Sequence, residues 1–172
     1  MLKYFTAAML FAGFSAGVMA DDGASISVTG TVSASTCTVS PDSQSKEINL
    51  GNISARQFQR AGDGSPEQIF ILNLEKCSPT LSNVTVTFNG DADTQNPGLL
   101  AIGSGAGAAS GIAVAIYDQK RTLIPLNTAS ASYALQPDQT VALKFYARYL
   151  STKDTVISGN ATATTTFVLN YD

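Results

Sequence analysis

Few residues in this sequence could do chemistry. Cys37 and Cys77 are the only cysteines, and there is no histidine. Without an imidazole, and with no serine in a GxSxG turn, an activated nucleophile has no evident source. Asp91 and Asp93 in NGDADTQNPG could hold a cation or work as an acid and base pair, but the Gly, Asn and Pro around them fit a solvated loop better. Gly103, Gly105 and Gly107 resemble a phosphate cradle only in composition, since no Lys-Ser/Thr pair follows and no helix is expected there. Asn52, Asn83 and Asn160 begin N-x-S/T triplets, which matter in a eukaryotic secreted protein and otherwise arise by chance in a Ser/Thr-rich chain. No catalytic residue, metal or cofactor is expected.

The cysteines take their meaning from the compartment. The opening MLKYFTAAMLFAGFSAGVMA has one early charge at Lys3, an apolar run from Tyr4 to Phe14 and a small-residue site at Val18-Met19-Ala20. This is the pattern of a secretory signal peptide over residues 1–20, too short and weakly flanked for a membrane anchor. In an oxidising compartment an isolated cysteine pair bridges by default, so Cys37 and Cys77 are expected to form a structural disulfide. Closing a loop of that length would stabilise the fold by roughly 3 to 4 kcal/mol on the chain-entropy argument. Nothing in the spacing resembles a redox CxxC. The whole chain carries ten Lys and Arg against thirteen Asp and Glu, a net −3, and loss of Lys3 with the leader makes it −4. With no basic cluster longer than Lys120-Arg121, neither nucleic acid nor an anionic membrane is an expected partner, and no later segment would insert in a bilayer.

The elements that must position these residues are strands. Short apolar or alternating runs stand at 46–50, 68–77, 83–90, 111–118, 122–126, 140–150 and 163–171, separated by Gly, Pro, Asn, Asp and Ser. Phe70, Leu72 and Leu74 share one parity, as do Val84, Val86 and Phe88, and Ile112, Val114 and Ile116. Seven or more short strands with turn chemistry between them predict an antiparallel β-sandwich of immunoglobulin type. The buried Trp of antibody domains is missing, so the topology is expected to differ from theirs. GSGAGAASG at 103–111 reads as a flexible loop within one domain, because strands of the same character continue beyond it.

Two further segments do not fit a closed sandwich. In GASISVTGTV, Ala24, Ile26, Val28 and Val32 share one parity and Ser25, Ser27, Thr29 and Thr31 the other, which is a strand with one apolar face and no nearby hairpin partner. It could be an internal first strand of its own fold or a strand offered to another protein. At the other end Phe167, Leu169 and Tyr171 alternate up to Asp172. A final strand at the very end and a spare one at the start suggest a fold short of one strand.

These residues resemble the pilin subunits of bacterial chaperone–usher fimbriae of the type 1 group. The resemblance covers residues 21–172 and rests on features held in order: the alternating ASISVTGTV before Cys37, INLGNI at 48–53, FILNLEKC ending at Cys77, VTVTFNG, FYARY at 145–149, Gly159 fourteenth from the end and the penultimate Tyr171. One departure is the turn after AIYD, where the family often has glycine and this chain has Gln119-Lys120-Arg121.

The resemblance implies a domain division of 1–20 signal peptide, 21–35 N-terminal donor-strand extension and 36–172 pilin domain. It implies an incomplete immunoglobulin-like sandwich lacking its last strand, completed by a donor strand from a periplasmic pilus chaperone or, after transfer at the outer-membrane usher, from a neighbouring pilin subunit. Ala24, Ile26, Val28 and Val32 would then be the donor face. Gly159, Phe167, Leu169 and Tyr171 would belong to the acceptor groove and C-terminal strand, with Gly159 placed where a side chain would hinder the approach. Burying the four donor residues could contribute on the order of 5 to 8 kcal/mol. The implied function is a structural fimbrial subunit at the cell surface, adaptor or shaft, that supports adhesion. The alternative is a receptor-binding tip adhesin, for which 152 residues after the leader leave no room for a lectin domain beside the pilin domain.

Overall fold

Alternation at Phe70, Leu72 and Leu74 places all three in the core, with exposed or half-buried neighbours between them. The computed structural model describes residues 25–30, 37–136 and 140–172. The signal peptide, Ala24 and Val32 lie outside the described residues, and for Val28 only the backbone pairing is described.

The strands in chain order are β1 Ser25–Gly30, β2 Thr38–Val39, β3 Ser45–Asn49, β4 Gln68–Glu75, β5 Asn83–Asn89, β6 Leu100–Ala101, β7 Ile112–Tyr117, β8 Tyr133–Ala134, β9 Val141–Ser151 and β10 Ala163–Tyr171. They form two five-stranded sheets, ordered β3-β1-β10-β5-β8 and β2-β4-β9-β7-β6. This is the expected all-β sandwich. A four-residue helix, α1 Pro41–Gln44, turns the chain from β2 into β3.

The two sheets meet through large side chains of matching parity. Phe70, Phe88 and Phe145 pack with ring centroids 5.2 to 6.1 Å apart, and the Tyr133 ring lies 5.5 Å from Phe145. Offset and edge-on contacts of this kind add to area burial. Strand β7 is buried on both faces, because Leu99 and the partly buried Leu123, Tyr146 and Leu150 cover Ala113, Ala115 and Tyr117 on the outer side. Cys37 and Cys77 are joined as a disulfide, fastening the start of β2 to the residues just beyond β4.

The segment 122–126 is not the strand that its composition suggests. Tyr117 makes one isolated bridge to Leu123, and the Ile124 amide donates to the Ile116 carbonyl at 2.8 Å. The next amide on that side, Leu126, donates instead to the Gly98 carbonyl at 2.9 Å, so the pairing does not extend into a ladder. The turn before it solves the missing-glycine problem directly. Arg121 adopts a left-handed conformation, φ 62°, while the Asp118 carboxylate accepts from the Lys120 and Thr122 amides at 2.8 Å each. This is the three-residue hairpin geometry that normally favours glycine at the left-handed position.

The loop 103–111 is not flexible in the manner its composition suggests. It is laced to the segment ahead of β10: the Gly103 amide donates to Thr162, Ala109 to Asn160 and Ser110 to Ile157, while Ile157 and Asn160 donate back to Ser110 and Gly107.

Candidate functional site

The site is built around β10, whose sequence ATTTFVLNY alternates to place Ala163, Thr165, Phe167 and Leu169 inward and buried. One side of β10 pairs antiparallel with β5, from Thr166 opposite Asn89 to Tyr171 opposite Val84. Beyond Tyr171, the Asp172 amide donates to the Asn83 carbonyl, and its own carbonyl accepts from the Ser82 and Asn83 amides. The other side of β10 pairs with β1 alone. Strand β1 runs parallel to β10, with Ile26 opposite Ala163 and Gly30 opposite Phe167. It also runs antiparallel to β3, with Ile26 opposite Ile48 and Ser25 opposite Asn49. It is the one parallel partner among the described strands.

The spare N-terminal strand therefore lies in a slot of this chain's own sandwich, between β3 and β10. Ile26 is 1 % exposed, and its partners Ile48 and Ala163 are buried on the same face. Ser27, of the opposite parity, is half-buried. Of the residues read as one face of this strand, Ile26 points inward, into a slot of this chain's own sandwich.

Phe167 and Leu169 stand in the core beside the slot, and Tyr171 packs partly buried against the same cluster. Ahead of β1, in line with it, the described residues leave a cavity of about 250 Å³. Ile53 closes one side and Val156 and Ala161 the other, with Phe58, Ile112 and Tyr149 beneath. The Tyr149 hydroxyl donates to the Ala161 carbonyl at 2.5 Å, which fixes the start of the β10 segment, and burial pushes its pKa up to about 12.

Gly159 borders this cavity for a reason that sequence reasoning missed. A Cβ there would stand 2.5 Å from the Ala108 carbonyl carbon, 2.6 Å from the Ala109 nitrogen and 2.6 Å from the Gly107 oxygen, all backbone. The glycine lets the cavity wall press on the 103–111 loop. The available signal was the facing run of small residues, Gly107-Ala108-Ala109.

Asp91 and Asp93 both take part in the hydrogen bonding of their own loop. Asp93 accepts from the Gln95 and Asn96 amides at 2.9 Å each and thereby shapes its own loop. Asp91 uses its carbonyl to receive the Ala101 amide. The Arg121 guanidinium pairs with Glu67 and lies 4.5 Å from the centre of the Tyr146 ring, and Arg148 lies similarly over Tyr117. These contacts clip the hairpin to the outer face of the sheet.

Residues 26–172 match the family described as Fimbrial protein. The chain is 39 % identical over its whole length to the uncharacterized fimbrial-like protein YcbV of Escherichia coli K12, also along that protein's whole length. It is 38 % identical to the probable major fimbrial subunit LpfA of Escherichia coli O157:H7, covering 97 % of this chain and 93 % of that one. Among solved structures, the P pilus rod subunit PapA superposes with a TM-score of 0.69 at 18 % identity, covering 80 % of this chain and all of that one, a likeness of fold. Matches that run the length of named subunits do not favour the tip-adhesin alternative. With its two-sheet sandwich and a slot filled by an N-terminal strand, the chain belongs to the Fimbrial protein family and is a structural subunit of a surface fimbria.

Proposed function

We propose that the slot between β3 and β10 is an acceptor for strand addition and that the extension at 21–35 is the strand each subunit gives to the next. The observation that carries this reading is the arrangement of β10. Its inward residues belong to the core, yet one side of its backbone has a partner only from a segment tethered through residues 31–36. Without that segment, the amides and carbonyls of β3 and β10 that face the slot lose their partners, and Ile48 and Phe167 border an open groove, an edge that invites another strand.

In this reading a periplasmic chaperone fills the slot of the newly exported domain at 36–172, and at the outer-membrane usher a neighbouring subunit replaces it. Ala24, Ile26, Val28 and Val32 form the inward face of the donor, while Phe167, Leu169 and Tyr171 build the acceptor wall. The roughly 250 Å³ cavity prolongs the slot beyond the six residues of β1 and has room for a longer strand. The protein acts by polymerising, with no catalytic step, and supports adhesion as part of the fibre.

The test is parity. Ile26→Asp or Val28→Asp would bury a carboxylate without a partner at a cost of several kcal/mol, whereas Ser27→Asp keeps its charge near solvent. Cells carrying either of the first two should retain the chaperone complex and lose fibres, and Ser27→Asp should assemble nearly normally. Loss of the chaperone complex with Ile26→Asp would overturn the reading and make β1 an ordinary core strand.

A further inference from the structure

The sequence holds one Asn-Gly pair, Asn89-Gly90, at the end of β5. In such a pair the following amide nitrogen, with no side chain to hinder it, can attack the side-chain amide carbon of the asparagine. A bond forms from the Gly90 nitrogen to the Asn89 Cγ, the Cγ–Nδ2 bond breaks, and the proton of the Gly90 amide leaves with that nitrogen as ammonia. Water then opens the cyclic imide at one carbonyl to give aspartate, or at the other to give isoaspartate. Asparagine is a thermolabile residue for this reason. Packing keeps the vulnerable glycine in place. A Cβ at Gly90 would stand 2.6 Å from Leu100 Cδ1 and 3.3 Å from the Thr164 carbonyl oxygen, and Leu100 is fully buried, with no space to turn aside.

The register of β5 with β10 ends at Asn89, opposite Thr166, so Gly90 lies one residue past the ladder. There a side chain takes over. The Gly90 amide donates to Asn127 Oδ1 at 3.2 Å, and Asn127 Nδ2 donates to the Gly90 carbonyl at 3.5 Å. Asn127 is itself anchored, because its own amide donates to the Phe88 carbonyl at 2.8 Å. On the other side the Thr165 hydroxyl donates to the Asn89 carbonyl at 2.9 Å. We propose that Asn89 is a latent deamidation site and that Asn127 is the positioning residue that suppresses it, by keeping the Gly90 nitrogen engaged as a donor and away from the Asn89 Cγ. Isoaspartate at this position would route the main chain through Cβ, one atom longer, directly beside Phe88, which is fully buried and packs on Phe70 and Phe145. The change would begin at a half-buried strand end and reach the core. A subunit built into a surface fibre is beyond repair inside the cell, so its protection has to lie in the fold.

The experiment ages the purified full chain in mildly alkaline buffer and follows the Asn89 peptide by mass and by the separation of its aspartate and isoaspartate forms. Asn127 has φ 61°, a conformation that glycine adopts freely, so Asn127→Gly removes the side chain without straining the turn. Deamidation should be slow in the wild type and about five- to tenfold faster in Asn127→Gly, the factor that loss of a hydrogen bond supplies. Asn127→Asp keeps an oxygen for the Gly90 amide and should age as slowly as the wild type. Arg121→Ala, which strains a different turn, should leave the rate at Asn89 unchanged. A wild-type rate in Asn127→Gly, or Asn127→Asp ageing as fast as Asn127→Gly, would overturn the proposal. Equal acceleration in Arg121→Ala would trace the reaction to general opening of the fold and overturn it too. Should Asn127→Gly not accumulate, Asn127→Ala takes its place with the same expected and refuting outcomes.

Discussion

Replacing Gly159 by alanine separates two reasons for having glycine there. If the glycine serves only the approach of a strand, Gly159→Ala leaves the free subunit as stable as before and slows polymerisation. The structure points to a different outcome, because the added methyl meets backbone atoms at 2.5 to 2.6 Å and backbone cannot rotate aside. Loop and wall must separate by several tenths of an ångström or more. Overpacking of this kind costs about 1 to 3 kcal/mol. The same movement strains the Asn160 to Gly107 and Ala109 to Asn160 hydrogen bonds, 2.8 and 2.9 Å long, each contributing on the order of 1 kcal/mol. The sum is roughly 2 to 5 kcal/mol, a large share of the stability of a domain this size. At about 2 to 4 °C per kcal/mol, the Tm of the purified monomer should fall by roughly 4 to 20 °C in a calorimetric scan. A Tm unchanged within about 1 °C, together with slower fibre growth, would refute the argument from the loop.

Peptide mapping without reductant should recover Cys37 and Cys77 as one linked peptide, and replacing both by serine should lower stability by about 3 to 4 kcal/mol in urea titration. Arg121→Gly should be more stable than Arg121→Ala by about 1 kcal/mol, since both lose the contacts to Glu67 and Tyr146 but only glycine is at ease at φ 62°. Burial raises the Tyr149 pKa from 10 to about 12, so the stability it contributes is intact below pH 10 and declines as pH rises toward 12; Tyr149→Phe should flatten that decline in pH-dependent Tm measurements. Tyr171→Ser should reduce chaperone-bound subunit and its periplasmic level, and unchanged co-purification would remove Tyr171 from the acceptor wall.

Much of the sandwich was legible because a period of two survives wherever one face of a strand meets a core. The extents of β4, β5, β7, β9 and β10 differ from those read in the sequence by no more than two residues at either end. The two-residue strands β2, β6 and β8 are too short to show a period at all. Leu123, Ile124 and Leu126 carried the composition of a strand, but pairing depends on where backbone donors go, and the Leu126 amide goes to the Gly98 carbonyl. The loop at 103–111 misled in the opposite direction, because its order comes from main-chain hydrogen bonds that small side chains permit and do not advertise. At the site, parity identified Ile26 as an inward residue of β1. Parity describes the face of a strand and is silent on whose sheet receives it, so the slot in which β1 lies could only be read from the fold.

The Cys37–Cys77 bond also determines how the molecule carries load. In a fibre built by strand addition, tension enters a subunit through its extension and arrives first at Cys37. The strand that follows, β2, has two residues, Thr38 and Val39, and would peel from β4 under a modest pull. With Cys37 bonded to Cys77, the pull passes covalently to the end of β4, whose seven-residue register with β9 lies at the centre of its sheet. The donor strand, gripped on both sides by strands running along its length, is loaded in shear, so its hydrogen bonds resist together and not one after another. A fibre whose subunits are made without the disulfide should therefore lengthen by peeling from β2 at forces the bridged fibre withstands.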